Sequence, residues 1–234
     1  MKPSSKKPKI SILIPALNEE KNIAKIVKDC LRLKQYELQV LVAVDGKTSD
    51  NTEVVAKKAG ASVVRIKKTG GKGMTFKHAI PHLKGDYIVQ IDADYQFLPK
   101  EIPKLITPLL LGYDLALGTR YQKGSRVEKN SVSFLKLIGS HVLSFLTSYF
   151  SHQRITDVMA GFKTINRIVL NDIHIQTPHF GYEAELVIKA ARKKYKIINV
   201  PITYKKRITG ASNVQIIKHG ILTFLSILKF GFYY

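Results

Sequence analysis

The chain has 234 residues, with 38 Lys and Arg against 17 Asp and Glu, a formal net charge of +21. That length supports one large domain or two small ones, and a composition 45% hydrophobic and 24% charged, with no low-complexity tract, excludes a disordered or fibrous chain. So positive a field suits an anionic partner, yet the basic residues are scattered in pairs and triplets rather than gathered in a block, so nucleic acid is not the expected partner.

Residues 1–8 read as a basic, polar tail without the apolar stretch of a signal peptide. The run KISILIPA (9–16) is a β-rich strand. Over 18–33, apolar residues at 23, 26, 27, 30 and 31 mark one helix face, with Asn18 as the expected N-cap and Glu19 and Glu20 in the first turn. Cys30 lies on that face and reads as a core thiol. LQVLVAVD (38–45) is a second strand, 50–59 a helix, SVVRI (62–66) a third strand, 73–83 a helix and DYIVQI (86–91) a fourth strand. Strands apolar throughout and separated by helices predict a parallel sheet covered on both faces, with ligands beyond the carboxyl ends of the strands.

In the second half, DLALGTRY (114–121) is a fifth strand, 181–195 a helix and KIINVPITY (196–204) a strand. The stretches 131–150 and 214–234 are apolar but interrupted by Lys136 and His141, and by Lys218 and Lys229. Neither is a clean membrane span, which needs about 20 apolar residues. The first packs on the sheet or lies at an interface; the second is expected to contact a membrane or a partner.

Polar clusters sit at four consecutive strand ends: PALNEE, DGKTSDNT, TGGKG and DADYQ. Such phasing predicts one site assembled from all four. TGGKG fails as a phosphate-binding P-loop, because Lys72 precedes Gly73 and no Gly stands five residues before Gly71. It also fails as a dinucleotide fingerprint, because Phe76 occupies the third glycine position. What remains is a turn into a helix, with Lys72 available to an anion. Asp92 and Asp94 are either turn caps or a pair converging on a hard cation, Mg2+ or Mn2+, to which Gln96 adds an amide oxygen. A cation so held completes its shell with water and substrate phosphates, which favours a substrate carrying a diphosphate.

Taken in order, PALNE (15–19), DGKTSDNT (45–52), GGKG (70–73), GDYIVQIDADYQ (85–96) and LGTRY (117–121) resemble family 2 glycosyltransferases of the GT-A fold. The resemblance is strongest to the branch that includes dolichyl-phosphate mannose synthases. TDVMAGFKTINR (156–167) and YKKRITGASN (204–213) are similar to that branch's downstream signatures, and the likeness covers about residues 9–213.

The resemblance implies an α/β, Rossmann-like GT-A domain over 9–213, its mostly parallel sheet flanked by helices, followed by an amphipathic helix over 214–234. It implies that Pro15, Ala16, Leu17, Glu19 and Asp45 grip the nucleotide of a sugar donor, with Lys72 and the Asp92-Ala93-Asp94 turn at its diphosphate. Asp94 and Gln96 would be direct metal ligands, and Asp92 would be shared between metal and sugar. Arg120 would bind donor or acceptor phosphate bidentately, and Lys206 and Arg207 would hold the acceptor phosphate. The implied reaction is an inverting displacement, with Mg2+ or Mn2+, that moves a hexose from a GDP- or UDP-linked donor to a polyprenyl phosphate. That acceptor needs no strong base; a hydroxyl acceptor does, and Asp157 is then the candidate. The implied setting is peripheral, at the cytoplasmic face of a membrane with an anionic surface. Three departures leave the donor open: Asp45-Gly46-Lys47-Thr48 in place of an acidic pair and Ser, Glu183 in place of a basic residue, and GASN in place of GESK. A soluble saccharide acceptor, or a non-catalytic basic module binding nucleic acid or membrane, are the alternative readings.

Overall fold

A computed structural model describes residues 7–67, 71–209 and 215–233. The tail up to Lys6, Gly70 of the glycine-rich turn and the GASN segment lie outside the described residues. Among the described residues nine strands form: β1 Lys9–Ala16, β2 Glu37–Asp45, β3 Ser62–Ile66, β4 Tyr87–Gln90, β5 Leu115–Thr119, β6 Arg126–Val127, β7 Lys163–Asn166, β8 Ile197–Pro201 and β9 Thr203–Tyr204. Eight α-helices among the described residues accompany them: α1 Glu20–Leu31, α2 Thr52–Lys58, α3 Lys72–Ala79, α4 Ile102–Leu110, α5 Phe134–Ser151, α6 Arg167–Asp172, α7 Tyr182–Arg192 and α8 Ile216–Tyr233.

Seven strands join in one sheet, in the order β3-β2-β1-β4-β7-β5-β8. All run parallel except β7, which lies antiparallel between β4 and β5. Two apolar layers cover the sheet. Ile12 and Ile14 of β1 face Ile23, Val27, Ile102 and Leu105 on one side. Leu13 faces the other side, with Phe76, Leu186 and Phe230. That alternation along β1 explains why the strand reads as apolar throughout. The mostly parallel sheet flanked by helices matches the expectation from the sequence.

Three local differences have physical causes. Asn18 is not the α1 cap: it takes a left-handed conformation (φ 55°) and its side-chain oxygen accepts the Ser49 N–H at 2.9 Å, so α1 starts at Glu20. The stretch 196–204 is two strands, because the chain leaves β8 at Ile202 and β9 pairs with β6 in a separate ribbon. β7 was not foreseen; its four residues, KTIN, centre on Lys163 and Thr164, polar side chains that the fold buries.

The stretch 131–150 becomes α5, which packs on α8 through Phe150 and Phe232, ring centroids 4.9 Å apart. α8 buries Thr223, Ser226, Ile227, Phe230 and Gly231. Its 18 residues have a mean hydropathy of 1.3, so by length and composition alone this helix suffices to cross a membrane. The outer faces of both helices are apolar and exposed, with Phe134, Phe145, Tyr149, Ile217, Leu225 and Phe232 at the surface.

Candidate active site

The carboxyl ends of β1, β2 and β4, the start of α3 and the segment after β9 enclose a cavity of about 270 Å3. Of the residues expected from the sequence, Pro15, Ala16, Leu17, Glu19, Asp45, Lys72, Asp92, Ala93, Asp94 and Arg207 line it. The phasing of polar clusters along the chain therefore does mark one place in the fold, as a parallel sheet requires.

Each acidic group is fixed from behind. Asp45 ends β2 and is buried; its carboxylate accepts the Lys47 N–H at 2.9 Å and the Thr75 hydroxyl at 3.1 Å. The Asp92–Asp94 turn leaves β4 and is held at its outer end by Tyr95, which has φ 61°. Left-handed backbone is uncommon for a bulky side chain and persists where surrounding contacts enforce it. Here the Tyr95 hydroxyl bonds the Asp29 carboxylate of α1 and accepts from Lys25 at 2.7 Å. Asp94 divides its two oxygens between two contacts. One oxygen caps the turn, accepting the Gln96 N–H at 3.1 Å, while the other faces Arg207 across the cavity.

Two cations sit on the two aspartates. Lys72 Nζ lies 2.7 Å from Asp92 Oδ1 and 3.1 Å from Glu183 Oε1. Arg207 lies 2.7 Å from Asp94 Oδ2 and 3.0 Å from Glu19 Oε1. Glu183, fully buried at the start of α7, also contacts Lys163 of β7. This accounts for an acidic residue at position 183: it stands between two lysines. Burial, and then the charge of Asp92, pushes the Asp94 carboxyl up to about 6. Burial alone would lower the Lys72 ammonium, but Asp92, Tyr182 and Asp94 together override it and hold the group above its ordinary value.

Other expected residues are placed differently. The Gln96 amide nitrogen donates to the Lys205 carbonyl at 2.9 Å, which ties its side chain to the segment after β9. Lys206 lies at a separate groove with Asp29, Arg32 and Lys100. Arg120 does not present an open fork to a phosphate. Its Nε and Nη2 donate to the two oxygens of Asp157 at 2.7 and 2.9 Å, and its backbone N–H adds a third bond. Both partners are buried, so Asp157 is a structural counter-ion in this arrangement and not a base open to solvent.

Four contributors were not foreseen. Lys136, in the first turn of α5, is partly buried and its ammonium is lowered by burial and by the neighbouring charges of Arg207 and Arg120. Thr75 and His219 line the cavity. Gly161 lies against Asp92, where a Cβ would fall 2.1 Å from its carboxylate. Only the MAGFK signature hinted at Gly161, without saying what it touches.

Among the described residues no group of three or more His, Cys, Asp and Glu gathers as a metal-binding cluster. A divalent cation would rest on Asp92 and Asp94 and draw its remaining ligands from water and substrate. The donor chemistry fits: two hard carboxylates, one of them raised by burial and then by the other, each neutralised here by a side-chain cation at 2.7 Å.

Comparison with known proteins agrees with this geometry. The model of glycosyl transferase family 2 matches residues 11–174. The chain is 30% identical over 217 residues to a dolichol-phosphate mannosyltransferase of Pyrococcus furiosus, covering 88% of this chain and 59% of that protein. It is 28% identical over 220 residues to a dolichyl-phosphate hexose transferase of Haloferax volcanii, covering 94% of this chain and 92% of that one. Among solved structures, glucosyl-3-phosphoglycerate synthase of Mycobacterium tuberculosis, in complex with Mn2+, UDP and phosphoglyceric acid, superposes with a TM-score of 0.78 at 21% identity, covering 96% of this chain and 79% of that one. The last likeness concerns the fold.

Proposed function

The chain belongs to glycosyl transferase family 2, a family of transferase enzymes, and from that premise we propose that it moves a hexose from a nucleotide-diphosphate sugar, GDP-mannose or a UDP-sugar, to a polyprenyl phosphate at a membrane surface. The observation that carries this reading is the first turn of α5. There the Lys136 ammonium is lowered by burial and by the charges of Arg207, which lines the cavity, and Arg120, while adjacent Phe134 and Leu135 are 76% and 52% exposed. A lipid phosphate asks for that pairing, a cation for the head group next to apolar surface for the chain. The dolichol-phosphate relatives support the same acceptor class.

In the proposed reaction an acceptor phosphate oxygen attacks the anomeric carbon. The bond from that carbon to the donor diphosphate breaks, the nucleoside diphosphate leaves with the electron pair, and the configuration inverts. An ionised phosphate oxygen needs no proton removed, which suits a site whose candidate base, Asp157, is locked to Arg120. Asp45 and Thr75 with the Pro15–Leu17 turn line the end of the cavity assigned to the nucleotide. Lys72 and Arg207 face the diphosphate and take up charge that grows on the leaving group. Mg2+ or Mn2+ bound at Asp92 and Asp94 would neutralise the same developing charge. The exposed apolar faces of α5 and α8, on a chain of net charge +21, fit a surface resting on anionic lipid.

The test is a panel of UDP- and GDP-sugars offered with a polyprenyl phosphate and, separately, with soluble saccharides, with products identified by mass. A lipid-linked sugar phosphate is the expected product. Transfer to the saccharides alone would move the assignment to a hydroxyl acceptor.

A further inference from the structure

Each aspartate of the cation seat is closed by a basic side chain, and each of those is tethered by a second carboxylate. Lys72 bridges Asp92 and Glu183, and Arg207 bridges Asp94 and Glu19. Resting on the donor reading above, we propose that Lys72 and Arg207 are placeholder cations: they occupy the metal seat until a diphosphate arrives to receive them, so metal and nucleotide enter together and neither binds well alone.

The charge count supports this. Glu19, Asp92, Asp94 and Glu183 face Lys72, Lys163 and Arg207, leaving one net negative charge on the cluster, three against four; burial lowers the Lys163 ammonium, and its contact with the Glu183 carboxylate is what keeps it charged. A divalent cation added alone reverses that sign inside a chain that already carries +21. It also finds both aspartates in contact with basic groups at 2.7 Å. A diphosphate added alone finds Lys72 and Arg207 committed to carboxylates. Added together, the metal takes the aspartates, the freed cations take the phosphates and the balance is restored.

The second carboxylates make the exchange feasible. When Lys72 leaves Asp92 it keeps Glu183, which is fully buried and braced by Lys163. When Arg207 leaves Asp94 it keeps Glu19, itself fixed by the Asn22 amide at 2.7 Å. Neither cation passes through an unpaired state, the costly step in moving a partly buried charge. Both side chains are long and unbranched beyond Cβ, which suits a pivot about the retained carboxylate.

The test measures Mn2+ binding by paramagnetic resonance and calorimetry, with and without UDP or GDP, for the wild type, Lys72→Gln and Arg207→Gln. In the wild type, Mn2+ alone should bind weakly and gain strongly from nucleotide. Each variant should bind Mn2+ alone about tenfold more tightly or better, the scale on which one adjacent unit charge acts on a carboxylate, while the gain from nucleotide shrinks. A side chain that merely shaped the site would weaken both. Arg207 is partly exposed, so its variant keeps the test valid if Lys72→Gln melts. Mn2+ binding that is no tighter in either variant, or a wild type indifferent to nucleotide, overturns the proposal. Failure of both nucleotides to bind the wild type with metal present would instead defeat the donor reading, while the metal-only comparison would still judge the placeholders.

Discussion

Gly161 and Asp92 are 69 residues apart in the chain and in contact in the fold: a Cβ on Gly161 would lie 2.1 Å from Oδ2 and 2.3 Å from Oδ1 of Asp92. The loop before β7 thus forms the floor under one half of the cation seat, and the absence of a side chain at 161 sets where that carboxylate stands.

Gly161→Ala should therefore displace Asp92 with little change elsewhere. Overpacking costs about 1–3 kcal/mol in stability. Because one of the two proposed ligand carboxylates is moved, metal-dependent nucleotide binding should fall by more than the stability loss implies. Calorimetric titration of UDP or GDP with Mn2+, beside a thermal melt, separates the two. Full binding with a lowered melting temperature would mean that Asp92 tolerates the shift.

Asp94→Asn should abolish metal-dependent nucleotide binding while the fold survives. The pH dependence adds a second signature. The Asp94 carboxyl is raised from 3.8 to about 6, by burial first and then by Asp92. The folded chain thus holds that proton more tightly than the unfolded chain. In the absence of metal, stability should decline as pH rises from about 4 to about 6, by a few kcal/mol at most. The Asn variant should lack this decline. Denaturant titrations across that range check the sign, and a variant whose curve parallels the wild type would refute it.

The strands that read most clearly, β1, β2 and β4, are those buried on both faces at the centre of the parallel sheet, where continuous apolar runs are required. β7 escaped because two of its three buried residues are the polar Lys163 and Thr164, and Lys163 finds its counter-ion, Glu183, on another element. The same asymmetry governs the site. Asp45, Asp92 and Asp94 follow their strands directly, so position along the chain locates them. Gln96 sits just beyond Tyr95, whose left-handed turn sends the next side chain to the Lys205 carbonyl. Glu183 and Gly161 meet Lys72 and Asp92 of the cavity through the topology of the second half, which periodicity in one sequence does not encode. Arg120 and Asp157 were both legible as polar residues near the site, but their mutual bond is a long-range pairing across 37 positions.

That bond makes its own prediction. Asp157→Asn leaves the Arg120 guanidinium buried without its counter-ion, so the variant should lose about 3–5 kcal/mol of stability. Exchanging both partners, Arg120→Met with Asp157→Leu, should recover a large part of it. Denaturant unfolding of the two single variants and the double measures the coupling. An Asp157→Asn protein with native stability and lost transfer activity would restore Asp157 to the role of general base.

The apolar faces of α5 and α8 make the last prediction. Phe145 is 70% exposed and Phe232 68% exposed, on two helices that pack against each other and so present one surface. Basic groups border it, with Lys136 at one end of α5 and Lys218 and Lys229 on α8. If this surface rests on lipid, the protein should float with vesicles of phosphatidylglycerol and phosphatidylcholine. The attachment should weaken with added salt without vanishing, because screening removes the charge contribution and leaves the apolar one. Phe145→Asp with Phe232→Asp replaces two inserted rings by anions, each ring contributing about 2–3 kcal/mol when buried. The double variant should lose flotation yet bind Mn2+ and nucleotide as the wild type does, since neither residue lines the cavity. A wild type that ignores such vesicles at moderate salt would leave the faces without a lipid role and weigh heavily against a polyprenyl acceptor.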